Sequence, residues 1–235
     1  MLYTRQMSAR CYRCFRKADS CLCKYVQAVQ SGMKFVFLMH TKEAKRQKTG
    51  TGHLSHITLT GSELIVGVDF THNARVNAMI ENPAYCPLVL YPGTDAYTAG
   101  SPQLKAALAT KTPLVFVIDG TWFCAKKIMD KSLNLRRLPR LSFNGSYRSM
   151  YTFKREPRPE CVSTIESCYY LIKEMQAAGM AAQCDPQPLL TVFKAMVRHQ
   201  LEAENRRIDS GLPSRTSKPN HYTVKKEIPS YLYTD

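Results

Sequence analysis

Four cysteines stand close enough together to act as one chemical unit. The stretch CYRCFRKADSCLC places Cys11, Cys14, Cys21 and Cys23 within thirteen residues. A C-x-x-C pair lets two thiolates chelate one ion, and four thiolates complete a tetrahedral structural zinc site with no open position. The second pair, C-x-C, is tighter than the usual zinc-ribbon knuckle. The alternatives are two disulfides or four unconnected thiols, and a cytosolic setting argues against the disulfides. Arg13, Arg16, Lys17 and Lys24 are interleaved with the cysteines. They suit a knuckle that faces a phosphate backbone, or simply a solvated basic face. Cys86, Cys124, Cys161, Cys168 and Cys184 are scattered and read as small core residues.

A second chemical cluster lies at strand ends. In VFVIDGTWFCAKK, residues 115–127, an apolar run meets Asp119, Gly120, Thr121 and Trp122, the single tryptophan of the chain. Ligands of a parallel α/β sheet collect outside the carboxyl ends of its strands. KFVFLMH ends on His40, and PLVLYPG on Tyr91, Pro92 and Gly93. The plain alternative makes Asp119 a helix N-cap, Gly120 a turn residue and Trp122 core packing. After His40, Lys42, Lys45, Arg46 and Lys48 lead into Thr49-Gly50-Thr51-Gly52. That loop suits an anion cradled by backbone N–H groups, or a surface loop. It lacks the P-loop lysine, which excludes the nucleoside-triphosphatase signature.

Charge points to polyanions. The chain carries 33 Lys and Arg against 18 Asp and Glu, a formal net charge of +15. From Arg136 to Arg158 the bases are Arg136, Arg137, Arg140, Arg148, Lys154, Arg155 and Arg158, against Glu156 alone, with Tyr147, Tyr151 and Phe153 between them. Charges that track phosphates and rings that stack on unpaired bases fit RNA or DNA. No run approaches the ~18 apolar residues of a membrane span. The start MLYTRQMSARCYRC has no secretory apolar core, so a cytoplasmic location is expected.

The elements that must hold these groups follow from apolar patterning. KFVFLMH, ELIVGVDF, PLVLYPG and PLVFVI are short continuous apolar runs, the pattern of strands buried on both faces of a parallel sheet. Helical stretches, NARVNAMIE and Ser101 to Ala109, separate them. STIESCYYLIKEMQAAG opens with a Ser163–Glu166 capping box, carries an apolar stripe and stops at Gly179. A last helix is expected from about Pro188 to Asn205. The expected organisation is an N-terminal zinc-binding segment over 1–30, an α/β domain over 31–205 and a basic, loosely ordered tail over 206–235. The fold class is α/β, a mostly parallel sheet flanked by helices.

The combined motifs resemble the DTW-domain proteins, the tRNA-uridine aminocarboxypropyltransferases. DGTW at 119–122 matches the D-x-T-W signature, and the four N-terminal cysteines look like the family's zinc ligands. His40 and Glu43, followed by Thr49-Gly50-Thr51-Gly52, look like its H-x-x-E segment and T-N-T-G loop. Tyr91-Pro92-Gly93 resembles its Y-P-G turn. Ser149, Tyr151 and Lys154, then Ser163-Thr164-Ile165-Glu166, resemble its S-x-Y-x-x-R and S-T-x-E elements. Gly50 stands where Asn is common, and Lys154 replaces an Arg, exchanging a planar fork for a point charge.

The resemblance implies a fold related to the SPOUT-type RNA modification enzymes, with a trefoil knot. It implies S-adenosylmethionine as donor, and transfer of its 3-amino-3-carboxypropyl group to N3 of a tRNA uridine. Tyr91, Pro92, Gly93, Ile118, Asp119, Gly120, Thr121, Trp122, Ser149 and Tyr151 would then enclose the donor. Asp119 is the candidate base, or a group that orients donor or uridine. Trp122 offers a flat wall or a cation–π contact to the sulfonium, or core packing. The zinc would be structural. Arg13, Arg16, Lys45, Arg46, Lys48, Arg136, Arg137, Arg140, Lys154 and Arg155 are the candidate tRNA contacts, with no membrane and no obligate protein partner inferred. An S-adenosylmethionine-dependent RNA methyltransferase and a non-catalytic zinc-containing RNA-binding protein are the rival classes.

Overall fold

The structure is a computed structural model that describes residues 10–45, 50–151, 161–212 and 225–233. Its centre is a five-stranded, all-parallel sheet in the order β2-β1-β4-β3-β5. The strands are β1 (Lys34–His40), β2 (Glu63–Gly67), β3 (Tyr85–Leu90), β4 (Thr112–Asp119) and β5 (Arg140–Leu141). Of the three inner strands, β1 and β4 are the most continuously apolar, because helices cover both of their faces. Pro87 sits in β3 below the point where the short β5 begins to pair at Val89, so its missing N–H removes no bond on that side.

The helices are α1 (Thr41–Ala44), α2 (Thr51–Thr58), α3 (Ala74–Glu81), α4 (Pro102–Leu108), α5 (Trp122–Lys131), α6 (Leu133–Arg136), α7 (Thr164–Ala177) and α8 (Gln187–Asp209). Alternation along the strands divides the core in two. Phe35, Phe37, Val115 and Val117 pack with Leu54 of α2, Leu104 of α4, Ile165 and Cys168 of α7, and Phe193 of α8. Val36, Leu38, Leu114 and Phe116 face the other way, onto Val76 of α3, Ile128 of α5 and Leu135 of α6. We call these the α7 face and the α5 face. No helix among the described residues is long and apolar enough to cross a membrane.

The expected α7 begins at its capping box, with the Ser163 and Glu166 side chains each bonded to the other's backbone N–H. It ends where Gly179 takes φ +68° and Met180 N donates to Met175 O at 2.8 Å. The last helix runs four residues past the expected Asn205, to Asp209. The segment 225–233 departs from the loosely ordered tail expected there. Asn205 exchanges two hydrogen bonds with the backbone of Lys226, and Leu232 is buried. Arg198 donates to Leu232 O and stacks over Tyr233 at 5.0 Å.

Candidate active site and metal centre

The four cysteines converge. Cys11 and Cys23 Sγ lie 3.5 Å apart, Cys14 and Cys21 Sγ 3.7 Å, and all four sulfurs fall within 4.8 Å of one another. A tetrahedron with Zn–S bonds of about 2.3 Å needs sulfurs about 3.8 Å apart, so the set fits zinc. The knuckle is closed by Cys11 N to Arg16 O and Phe15 N to Cys11 O, with Phe15 at φ 55°. Backbone N–H groups of Cys14 and Arg13 pull the Cys11 thiol down to about 6, which favours the thiolate a metal requires. Burial pushes Cys23 the other way. The knuckle docks on α2. His53 Nε2 meets Arg13 O at 2.7 Å, Phe15 lies 4.8 Å from the His53 ring, and Arg13 reaches Ile57 O.

Asp119 ends β4 on the α7 face and is 5% exposed. Thr164, the first residue of α7, donates to its Oδ1 at 2.7 Å. Gly52 of α2 presses on the carboxylate. A Cβ added there would lie 2.3 Å from Asp119 Cγ. Thr121, not Asp119, caps α5, since its Oγ1 accepts from Cys124 N. Asp119 borders a cavity of about 10 Å³ whose other walls include Cys14, Arg16, Glu43, Gly50 and His53. The knuckle and the strand end therefore form one site.

Arg16 was expected on the surface among the tRNA contacts. Its guanidinium instead turns inward, where burial disfavours its charge. Its Nη2 is buried and has no hydrogen-bond partner among the described residues. His40, at the end of β1, is 2% exposed. Its Nδ1 accepts from Lys42 N at 3.1 Å, which places the ring proton on Nε2. Burial lowers its pKa, disfavouring the charged ring.

The remaining expected donor residues are spread over both faces. Tyr91 packs with Ile118 against the α5-face core, and its ring centroid lies 6.4 Å from that of Trp122. Trp122 and Phe123 are 42% and 73% exposed. Arg140 stacks 5.6 Å over Tyr91 and donates to Pro92 O. A side chain at Gly93 would run into Arg140, 2.8 Å away. Ser149 and Tyr151 belong to the α7 face. Ser149 Oγ and Met150 N donate to the buried Glu166, and Tyr151 packs edge-on against Phe193. The structure thus brings Asp119 to Gly52, Thr164 and Arg16, and brings Tyr91 to Trp122, on opposite sides of the strand end.

Arg13, Lys45, Arg136, Arg137 and Arg140 are exposed. Arg136 and Arg140 line an open groove of about 320 Å³ with Thr94, Asp95, Leu138 and Pro139. Arg46, Lys48, Lys154 and Arg155 lie outside the described residues. Sequence reasoning did not connect Gly52, Thr164 or His53 to Asp119. The T-G-T-G and S-T-I-E stretches were the signal, but each by itself reads as a loop or a helix start.

The DTW domain matches residues 8–201. The chain is 26% identical over 196 residues to tRNA-uridine aminocarboxypropyltransferase 2 of Mus musculus, covering 82% of this chain and 63% of that protein. Proteins of the same name from Macaca fascicularis and Drosophila melanogaster are 21% and 27% identical, over 92% and 79% of this chain and 74% of each relative. The chain thus spans less than two thirds of the mouse protein. No solved structure matches it significantly. With the signature acid and glycine loop meeting beside a four-cysteine centre, and the domain match running from the knuckle into α8, the chain belongs to the DTW domain family.

Proposed function

We propose that this chain transfers the 3-amino-3-carboxypropyl group of S-adenosylmethionine to N3 of a uridine in tRNA, releasing methylthioadenosine. The observation that carries the reading is the DTW match across the whole sheet, with relatives that bear the aminocarboxypropyltransferase name. Bound at the strand ends, S-adenosylmethionine supplies a sulfonium with three attached carbons, and the protein decides which is attacked by position alone. For side-chain transfer, the N3–Cγ bond forms as the Cγ–S bond breaks. The electron pair returns to sulfur as a neutral thioether, and the N3 proton leaves to a general base.

The two sides of the strand end divide this work. On the α5 face, Tyr91, Pro92, Gly93, Ile118, Gly120, Thr121 and the exposed Trp122 offer apolar and aromatic surface to the adenosyl end. On the α7 face, Asp119, with Ser149 and Tyr151 nearby in the chain's α7 anchor, meets the amino-acid end. Asp119 is the catalytic carboxylate of this reading. Its burial, its Thr164 bond and its contact with Gly52 favour a fixed group that orients the donor. Zinc on Cys11, Cys14, Cys21 and Cys23 would hold the knuckle against α2, with no open position for chemistry. tRNA would follow the exposed arginines of α6 and β5 together with Arg13 and Lys45, in the cytoplasm.

The test is mass spectrometry of tRNA nucleosides after incubation with purified protein and donor. A uridine heavier by the aminocarboxypropyl group, with methylthioadenosine in equal amount, is the expected result. S-adenosylhomocysteine as by-product would make the chain a methyltransferase. No donor binding at all would leave a non-catalytic RNA-binding protein.

A further inference from the structure

We infer that Arg16, carried on the four-cysteine knuckle, is the residue that binds the α-carboxylate of the donor's amino-acid end, so that the metal centre shapes the donor site. The inference rests on the transferase reading above and deepens it. Three observations carry it. The guanidinium is turned in from the knuckle and lines the small cavity beside Asp119. Its Nη2 is buried without a partner, and among the described residues Arg16 makes no ion pair. A guanidinium nitrogen buried in that state is costly unless an anion completes it.

The composition of the cavity selects the anion. Arg16 faces a space whose other charged walls are the carboxylates of Asp119 and Glu43. A phosphodiester has only negative charge and would be repelled by both acids. An α-amino acid is a zwitterion: its carboxylate suits the guanidinium fork, and its ammonium suits a carboxylate. The amino-acid end of S-adenosylmethionine has this charge pattern. Anchoring it here would hold Cγ at the end of β4, the carbon whose attack distinguishes side-chain transfer from methyl transfer. The position of Arg16 is set by its neighbours. It lies between the ligands Cys14 and Cys21, and the knuckle is braced on α2 through His53 and Arg13.

The test uses the full chain loaded with zinc and measures affinity by calorimetry for three probes. These are S-adenosylmethionine, its decarboxylated analogue, which keeps the ammonium, and methylthioadenosine, which lacks the whole amino-acid end. The native protein should prefer S-adenosylmethionine over the decarboxylated analogue by on the order of 10- to 100-fold, the scale of one charge-assisted contact. Arg16→Ala should erase that preference and leave methylthioadenosine binding intact, which also reports that the site is folded. Arg16→Lys should keep part of it. Equal affinity of the native protein for the first two probes would overturn the inference without any variant. So would Arg16→Ala with the preference intact and a flatter salt dependence of tRNA binding, which would make Arg16 a phosphate contact. Native protein that binds none of the three would overturn the transferase reading, and this inference with it.

Discussion

The Cα of Gly52, in the first turn of α2, lies directly against the carboxylate of Asp119 at the end of β4. A methyl group in its place would come within 2.3 Å of Cγ and within 2.4 and 2.6 Å of the two oxygens. Both residues are buried. The glycine is required by close approach, since its backbone is an ordinary helical one. Gly52→Ala must displace either the carboxylate or the helix. Overpacking of this kind costs about 1–3 kcal/mol. Chemical denaturation should show that loss, and donor affinity should fall at least tenfold. Native affinity and stability together would mean that Asp119 moves aside freely and is not a fixed group.

Asp119→Asn keeps the shape and removes the charge. If the carboxylate holds the donor, affinity for S-adenosylmethionine should drop by on the order of tenfold or more, with a smaller loss of rate at saturation. If it is the base, binding should survive and the single-turnover rate should fall roughly 100-fold or more. Thr164 donates to this carboxylate, so Thr164→Val should reproduce part of whichever effect is seen. Near-normal values for both rate and affinity in Asp119→Asn would remove it from the site.

Metal removal should act at the donor site as well as on the knuckle. Elemental analysis should find one zinc per chain, and Cys11→Ser/Cys14→Ser should abolish it. A structural zinc site contributes on the order of 10 kcal/mol of apparent binding free energy, so the segment carrying Arg16 should come loose from α2. The preference for S-adenosylmethionine over its decarboxylated analogue should vanish in the chelated protein as it does in Arg16→Ala. A metal-free chain with an unchanged melting curve and unchanged preference would separate the two sites.

Glu166 is fully buried and receives Ser163 N and Oγ, Ser149 Oγ and Met150 N, at 2.8, 2.6, 2.7 and 2.6 Å. It thereby ties the segment before Tyr151 to the start of α7, the helix that supplies Thr164. Glu166→Gln exchanges one acceptor oxygen for an NH₂ group that faces donors. Leaving buried donors unsatisfied costs about 1–3 kcal/mol each. A stability loss of about 2–4 kcal/mol in urea unfolding is expected on that scale. A loss below about 0.5 kcal/mol would put the network outside the fold's working structure.

The exposed arginines beside the α5 face should bind phosphates of the tRNA. For Arg136→Ala/Arg137→Ala, tRNA affinity should weaken, and the slope of log K against log salt should flatten by roughly 0.7 to 0.9 for every phosphate that is no longer neutralised. Donor affinity without tRNA should be unchanged. An unaltered slope would move the tRNA path elsewhere on the surface.

The four-cysteine cluster, the four main strands and the start of α7 were legible in the sequence because each is local. Thirteen residues contain all four cysteines, apolar runs mark strands buried on both faces, and Ser163 and Glu166 sit three apart. The sides of the sheet were not legible. Successive strand residues point to opposite faces, so Asp119 and Ile118, adjacent in sequence, face opposite sides of the sheet, and the contacts of Asp119 with Thr164 and Gly52 show which side is its own. The same holds for Arg16. Its neighbours in sequence read as a basic surface, while its direction inward depends on where the knuckle lands on α2. Gly52, Asp119 and Thr164 come from three separate segments whose meeting depends on the packing of α2 and α7 over β4. Composition and spacing determined which chemistry this chain carries; the layering of helices on the sheet decided which of those groups share a cavity.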